Sequence, residues 1–346
     1  MHFQRKSSLL KFNYRSLIKY LLVLIITGLL FWYLFRGIPL EKVLAAFLEF
    51  DYQWILLSIV LSIISHMLRA YRWTLLLKVS NHKPSTQNAF HAVMIGYLAN
   101  SVFPRLGEVT RCGVLRKTDR VPVAISLGTV VTERIIDLSV LLFVALCTFI
   151  WQFDMLNDYL LKGQSSLSHM MINQWPILVG VLFLLTSIVY FLFFSQKAKQ
   201  SVFLDKVRYF LRQFAVGIGS IVKMKQHFLF WTATLGIWIM YFLMMYTITF
   251  GSEVTENLGL AASFAILVMG SFGMASPTPN GLATFHAFVA GVLVLYGIPR
   301  EDGIIFATIM HSSQFIAVIV IGLLSFLMVS LKTRQINIDN SIKNKE

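Results

Sequence analysis

Charged residues are scarce in this 346-residue chain, at 13%, whereas hydrophobic residues make up 57% and the mean hydropathy is +0.71. A soluble globular domain carries about 25% charged residues. The longest hydrophilic stretch, Ser195 to Gln226, is too short to bury a core of its own. These shortages argue against a soluble catalytic domain and predict a single integral membrane domain over residues 1–346.

The sequence also lacks the common catalytic and metal-binding motifs. It has no G-x-x-x-x-G-K phosphate loop, no H-E-x-x-H pair and only two isolated cysteines, Cys112 and Cys147. We therefore expect no ATP hydrolysis, no bound metal and no cofactor. A net charge of +14 would suggest a nucleic-acid partner for a soluble protein. Here Lys and Arg lie between apolar runs, where they determine topology, so anionic lipid is the expected partner and nucleic acid is not.

Long apolar runs dominate what is present. A membrane-spanning helix needs about 20 mostly apolar residues. Six runs meet that need: Leu17 to Phe35, Tyr52 to Leu68, Val123 to Ile150, Pro176 to Phe194, Phe228 to Phe250 and Gly303 to Leu331. Two more are interrupted, Thr86 to Phe103 by Pro104, and Leu258 to Tyr296 by Pro277, Pro279 and Gly281. The predicted fold is an all-α polytopic membrane helix bundle with about six full spans plus two re-entrant, broken hairpins.

Charge between the runs predicts their direction. The basic segments are residues 1–19, Arg69 to Lys83 and Gln196 to Gln226, and the alternate connections are net acidic. Basic segments face the cytoplasm, so both termini are expected to be cytoplasmic in a multi-pass protein of the inner cell membrane. If both arms of a hairpin crossed the membrane completely, the chain would still return to the same side. The distribution of charge therefore does not distinguish a re-entrant hairpin from two full spans.

The predicted layout contains an inverted repeat, with repeat 1 over approximately 17–150 and repeat 2 over approximately 176–331. Each half places two spans before its broken hairpin and one after it. At an offset of 174 residues, Gly96 corresponds to Gly270 and Gly107 to Gly281. Secondary transporters use inverted repeats with broken helices to place a binding site at mid-membrane.

The first break is rich in charge. Arg105, Glu108 and Arg111 follow Asn100 at helical spacing beside an apolar segment. Charges within a membrane are costly unless they are paired, hydrated or bound to a ligand. Glu108 is expected to pair with Arg105 or Arg111, which leaves one guanidinium for phosphate oxygens. The alternative is that all three are anchors in the headgroup layer.

Three further charges lie inside the apolar run from Val123 to Ile150. Glu133 and Asp137 share a helix face, whereas Arg134 points elsewhere and needs a partner from another helix. A structural ion pair and an intramembrane acid and base remain open. Between Ser195 and Gln226, apolar residues such as Phe203, Val207 and Phe210 follow helical spacing and the basic residues are offset from them, which predicts a cytoplasmic basic amphipathic helix or a plain linker helix.

The second break has no charged side chain. A helix that starts after Asn280 and Gly281 would direct free N–H groups into the membrane, which is a site for an anion. His286 and His311 follow in apolar helices. Each is read either as an interhelical hydrogen-bond partner or as a titrating or headgroup-binding group.

These motifs resemble the membrane region of the lysylphosphatidylglycerol synthase and flippase-like family. The resemblance rests on Asn100, Pro104, Arg105, Gly107, Glu108 and Arg111, on Glu133, Arg134 and Asp137, and on Pro279, Gly281 and His286. Many members carry Glu where this chain has His286, and Arg where it has His311. In members fused to a soluble aminoacyl-transferase domain, the membrane part is associated with moving an anionic or aminoacylated phospholipid between leaflets. This sequence contains no such domain, so we expect no synthase activity from it.

The leading hypothesis is a flippase-like protein that moves a membrane phospholipid or a polyprenyl-phosphate lipid. The headgroup-binding residues would be Asn100, Arg105, Glu108, Arg111, Asn280, Gly281 and His286, and the charge network Glu133, Arg134, Asp137 and His311. A membrane enzyme that transfers a group to or from a lipid, and a non-transporting envelope scaffold, are the alternatives. A homo-oligomer is compatible with each.

Overall fold

The structure, a computed structural model, describes residues 14–103, 105–155, 224–276 and 278–343. The predicted span Pro176 to Phe194 lies outside the described residues, as do nearly all of the predicted amphipathic segment 195–226, Pro104 and Pro277. The described part of the chain is helical, apart from short connections.

Ten α-helices make up the described part. They are α1 (Tyr14–Phe35), α2 (Leu40–Glu49), α3 (Tyr52–Val79), α4 (Thr86–Val102), α5 (Leu106–Asp119), α6 (Val123–Trp151), α7 (His227–Thr249), α8 (Leu260–Ala275), α9 (Thr284–Val294) and α10 (Arg300–Lys343). A short 3₁₀ turn, Pro279–Gly281, precedes α9. Two helix starts have side-chain caps, because Asp51 accepts from the N–H of Gln53 and Ser85 from that of Asn88.

Four of these helices, α3, α6, α7 and α10, are long and apolar enough to cross a membrane. Four of the six predicted spans therefore correspond to helices of the required length. The apolar pair Leu22–Phe35 and Leu40–Glu49 has the required composition too, but it is bent by 84° at the break. The connection predicted from Arg36 to Asp51 is thus mostly the helix α2. The protein is a helix bundle with several membrane-spanning helices.

Both predicted helix breaks are present. The first separates α4 from α5, and Arg105 there has a φ of 66°. The second separates α8 from α9, and Asn280, Gly281 and Ala283 there have φ values of 50°, 72° and 67°. Positive φ redirects the chain within one or two residues, which a continuous helix cannot do. The arms contain 17, 14, 16 and 11 residues, fewer than the roughly 20 that a full span needs.

Glycines bring the two arms of each hairpin into backbone contact. In the first hairpin, a Cβ on Gly107 would lie 2.0 Å from the carbonyl oxygen of Gly96. In the second, a Cβ on Gly273 would lie 2.6 Å from Cα of Phe285. Neither glycine can carry a side chain in this packing, so both hairpins depend on a missing Cβ.

Helix packing joins the two hairpins to a common frame. The helices α3 and α7 pack along each other, α4 contacts α3 and α10, and α8 contacts α6 and α7. The 3₁₀ turn at the second break packs against α4, which belongs to the first hairpin. The break of one hairpin therefore lies next to an arm of the other.

The ends of the helices form one basic and one acidic face. On the basic face, Asn88 Oδ1 accepts from Lys332 Nζ at 3.1 Å, and Asn88 Nδ2 donates to Asp119 Oδ2 at 3.0 Å. On the acidic face, Lys42 Nζ lies 3.1 Å from Glu301 and 2.8 Å from Asp302. The exposed basic face includes Lys78, Arg116, Lys117, Arg120, Lys332 and Arg334; the acidic face includes Glu41, Glu49, Asp51, Glu253, Glu256 and Glu301. The first hairpin opens on the basic face and the second on the acidic face.

Candidate functional site

A buried charge network connects three helices. Glu133, on α6, has its Oε1 3.3 Å from Arg69 Nη1 and 3.3 Å from Arg72 Nη2, both on α3. Its Oε2 lies 3.0 Å from Nη2 of Arg111, on α5. One turn further along α6, Asp137 lies 3.2 Å from Arg69 and 2.7 Å from Arg72. Two carboxylates of one helix face thus bind three guanidinium groups.

The network is almost free of solvent. Glu133 and Arg72 are 0% exposed and Arg111 is 3% exposed. Charges in such a place are tolerated only when each has a partner of opposite sign, since desolvation of one ion costs several kcal/mol. Among the described residues, three guanidinium groups face two carboxylates, so these five side chains carry one positive charge in excess.

Aromatic side chains surround the guanidinium groups. The Arg111 guanidinium carbon lies 4.6 Å from the ring centroid of Trp73, and Arg72 lies 5.8 Å from that of Phe230. Arg69 Nη2 donates a hydrogen bond of 2.8 Å to the hydroxyl of Tyr241 on α7. The negative face of an aromatic ring attracts a guanidinium cation that lies over it. The excess charge is therefore held inside the bundle and not at its surface.

A second ion pair joins α5 and α6 at the edge of the network. Arg134 Nε lies 3.3 Å from Glu108 Oε1, and the side chains are 41% and 37% exposed. Arg134 therefore has a partner on another helix, as its position predicts. The predicted pairing of Glu108 with Arg105 or Arg111 is wrong, because Arg111 pairs with Glu133 and Glu108 pairs with Arg134, both partners lying on α6.

Arg105 lies at the break itself. It is exposed, immediately precedes α5, and forms no ion pair with any described residue. Asn100 supports this turn, since its Oδ1 accepts a hydrogen bond of 2.7 Å from the N–H of Gly107. That N–H belongs to the first turn of α5, where no intrahelical acceptor exists.

Asn100→Ala is expected to lower the stability of the first hairpin, because it leaves the N–H of Gly107 without its acceptor. Such a loss costs about 1–3 kcal/mol when the group is buried. The thermal midpoint of the purified protein in detergent should fall. Ser101→Ala is the matched control, since its hydroxyl bonds only the carbonyl of Tyr97 in its own helix. Equal midpoints for the two variants would contradict the role assigned to Asn100.

A small space separates the hairpin from the network. Its volume is about 10 Å³, and its lining residues are Val93, Gly96, Tyr97, Asn100, Gly107, Glu108, Arg111 and Arg134. This is room for about one water molecule. In this conformation Glu108, Arg111 and Arg134 are packed around this space, and a lipid headgroup does not fit among them.

Polar atoms pair with one another at the second break, whereas the buried Nδ1 of His286 has no hydrogen-bond partner among the described residues. His311 Nε2 donates to the carbonyl of Asn280 at 3.0 Å, and the hydroxyls of Thr278 and Thr284 are 3.0 Å apart. The buried His286 packs edge-on against His311, with ring centroids 5.1 Å apart. The helix α9 begins at Thr284, three residues later than Gly281, and its first turn packs against Gly273. The two histidines therefore belong to one cluster with the turn at Asn280.

The structure separates the predicted site residues into two groups. Asn100, Arg105, Glu108, Arg111, Glu133, Arg134 and Asp137 gather at the first break, and Asn280, Gly281, His286 and His311 gather at the second. Helix packing connects the groups: the 3₁₀ turn packs against α4, and α10, which carries His311, also packs against α4.

Sequence reasoning missed Arg69 and Arg72, which it assigned to a cytoplasmic connection. Both lie inside α3, which continues to Val79, and both are buried. A signal was available, because α3 carries polar residues at alternating spacings of four and three: Ser58, Ser62, Ser65, Arg69 and Arg72. This spacing marks one helix face, and all five residues are buried.

Apolar membrane-spanning helices around a buried ionic network define a multi-pass integral membrane protein with its polar groups inside the bundle. The chain matches the family described as the lysylphosphatidylglycerol synthase TM region over residues 19–322, which is most of its length. The protein belongs to this family.

One curated relative provides a second, more limited comparison. The chain is 27% identical over 128 residues to the UPF0104 membrane protein MJ1595 of Methanocaldococcus jannaschii, which is 36% of this chain and 38% of the relative. The match thus spans about two fifths of the relative's length. No solved structure matches the chain significantly.

Proposed function

We propose that this protein is a lipid translocase, which moves a phosphate-bearing lipid between the leaflets of the cytoplasmic membrane. The observation that carries the proposal is the excess positive charge buried beside the first break. A buried unbalanced charge is costly to maintain in a purely structural role. It is useful where an anionic ligand supplies the missing negative charge.

Arg105 and Arg111 are the residues that would bind the phosphate. Arg105 lies at the break without an ion pair among the described residues, and Arg111 joins the break to the network through Glu133. A guanidinium group is planar and can donate two parallel hydrogen bonds to phosphate oxygens. Phospholipids and polyprenyl-phosphate lipids share this headgroup chemistry.

The lengths and ends of the hairpin arms support an inverted repeat of re-entrant hairpins. At the offset of 174 residues, one contact between the arms corresponds as well. A Cβ on Gly96 would meet Cβ of Arg111 at 3.2 Å, and a Cβ on Gly270 would meet the ring of Phe285 at 2.9 Å. Arg111 and Phe285 are separated by this same offset. Such repeats allow one half to move against the other around a fixed site.

Translocation then requires the network to open. The space at the first break holds about one water molecule, so a headgroup can enter only after α5 and α6 separate. The half-exposed pair Glu108 and Arg134 joins these helices at that edge. An exposed ion pair contributes only about 0–1 kcal/mol, which makes it a suitable point of opening.

The basic face is proposed to lie in the cytoplasm, in accordance with the positive-inside rule. On this orientation both described chain ends, Tyr14 and Lys343, lie on the cytoplasmic side. The first hairpin then opens toward the cytoplasm and the second toward the outside.

A leaflet-exposure assay tests the proposal. The full chain is reconstituted in vesicles that contain fluorescent phosphatidylglycerol or a fluorescent polyprenyl phosphate, and dithionite bleaches the outer leaflet. With active protein, bleaching proceeds beyond the roughly one half that protein-free vesicles allow. An unchanged extent with both probes would contradict the proposed function.

Arg105→Gln is expected to slow lipid exchange at least about tenfold, because it removes a charge-assisted hydrogen-bond donor from the break. Since Arg105 is exposed and has no ion pair with a described residue, the variant should retain its thermal midpoint. The control is Arg116→Gln, which removes an exposed cation later on the same helix. If both variants exchanged lipid at the same rate, Arg105 would not belong to the binding site.

A further inference from the structure

A second cavity lies apart from the charge network. It is a groove of about 730 Å³ between α5 and α10, with one wall residue from α4. Its lining residues are Ile95, Thr110, Gly113, Val114, Lys117, Phe326, Val329, Ser330, Thr333 and Arg334. None of them lines the space beside Arg111. The volume lies within the range of about 300–1,000 Å³ that is typical of ligand pockets.

The groove is polar at one end and apolar at the other. Both α5 and α10 run toward the basic face. At that end of the groove, α5 contributes the cation Lys117 and α10 contributes the cation Arg334. The wall further into the membrane includes the apolar side chains of Ile95, Val114 and Phe326 together with Thr110, whose hydroxyl donates to the carbonyl of Leu106 in its own helix. A phospholipid has a matching arrangement of charged and apolar parts, with a phosphate at the membrane surface and acyl chains beneath it.

The two cations are available for a ligand. Neither Lys117 nor Arg334 forms an ion pair within the described part of the chain, and both are exposed. By contrast, Lys332 on the neighbouring turn donates to Asn88. Basic residues at a membrane surface attract anionic lipid headgroups.

A missing side chain keeps the groove open. Gly113 lies on its floor, and a Cβ built at this position has no heavy atom within 4 Å. Glycine inside a helix destabilises it by about 0.5–1 kcal/mol relative to alanine. No backbone contact of Gly113 accounts for that cost, in contrast to Gly107 in the same helix. The empty volume above Gly113 is the feature that a ligand would use.

We propose that this groove binds one anionic phospholipid from the leaflet at the basic face. The phosphate lies between Lys117 and Arg334, and an acyl chain lies along Val114 and Phe326 above Gly113. The proposal concerns binding at a place separate from the charge network. It holds or fails independently of translocation, because occupancy is measured without any movement between leaflets.

Native mass spectrometry of the purified full chain tests this site. Phosphatidylglycerol and phosphatidylcholine with identical acyl chains are titrated into the detergent-solubilised protein, and the dissociation constant of the first bound lipid is compared. The wild-type protein should prefer phosphatidylglycerol. Lys117→Gln with Arg334→Gln should weaken phosphatidylglycerol about thirtyfold, because each surface cation contributes about a factor of five, and should leave phosphatidylcholine unchanged.

A second variant tests the apolar part of the groove. Gly113→Leu fills the floor and is expected to weaken both lipids. Its matched control is Gly128→Leu, at an exposed position of α6 where a Cβ also has no neighbour within 4 Å. The charge control is Lys78→Gln with Arg116→Gln, which removes two exposed cations of the same face outside the groove.

Three results would overturn the proposal. The first is that the wild-type protein binds neither phosphatidylglycerol nor phosphatidylcholine, which would mean that another part of the protein covers the groove. Another is an equal loss in the two charge variants, since attraction is then a property of the whole face. The third is unchanged binding in Gly113→Leu, since the lipid then lies elsewhere.

Discussion

Glu133→Ala is expected to prevent the protein from folding to a stable, monodisperse form. The carboxylate binds Arg69, Arg72 and Arg111 within 3.3 Å, and it is fully buried. Of the described residues in the network, only Asp137 then remains as a carboxylate beside three guanidinium groups. Breaking a buried ion pair on one side costs about 3–5 kcal/mol, which is comparable to the whole stability of many proteins.

Size-exclusion chromatography after heating measures this effect in detergent. Glu253→Ala is the control, since it removes an exposed carboxylate at the acidic face that has no ion pair with a described residue. Glu133→Gln should fall between the two, because it keeps the volume and one acceptor but not the charge. If Glu133→Ala and Glu253→Ala melted at the same temperature, the network would not stabilise the fold.

Gly107→Ala is expected to separate the arms of the first hairpin. The added Cβ would lie 2.0 Å from the carbonyl oxygen of Gly96 and 2.7 Å from Cγ of Asn100. The backbone cannot move aside as a flexible side chain can. The loss of folding stability should therefore reach or exceed the roughly 1–3 kcal/mol of ordinary overpacking. The displacement would also move Arg111, one turn later, away from Glu133.

Gly128→Ala is the matched control for this variant. It makes the same substitution inside the helix α6 at a place where the Cβ meets no heavy atom within 4 Å, and it should stabilise α6 slightly. Thermal midpoints and lipid exchange are both expected to fall in Gly107→Ala alone. Retention of both properties would show that α4 and α5 do not pack through these glycines.

The helix boundaries were predictable wherever an apolar run ends at a strong signal. The run Thr86 to Phe103 corresponds to α4 and the run Val123 to Ile150 to α6, each within one residue at its ends. Proline adjoins an end of both runs, and it restricts the residue before it and removes a hydrogen-bond donor. The end of α3 was missed because its last turns are basic and the hydropathy falls there, although the helix continues.

The partners within the network were not predictable in the same way. The shared face of Glu133 and Asp137 follows from their spacing, since residues four apart in a helix are neighbours. Arg72, by contrast, lies 61 residues before Glu133, and helical spacing carries no information over that distance. A basic residue at the end of an apolar run is also commonly a topology signal. Arg69 and Arg72 were interpreted in this way, and their place in the buried network was therefore missed.

If the proposed translocation moves the network, the excess charge beside the first break would also couple the protein to the membrane potential. The free energy of one elementary charge changes by about 2.3 kcal/mol per 100 mV when it crosses the whole membrane field. Any rearrangement that moves Arg69, Arg72 and Arg111 together with their two carboxylates moves a net positive charge through part of that field. A bound singly charged phosphate would cancel it, so the electric field would act on the empty protein and hardly at all on the loaded one.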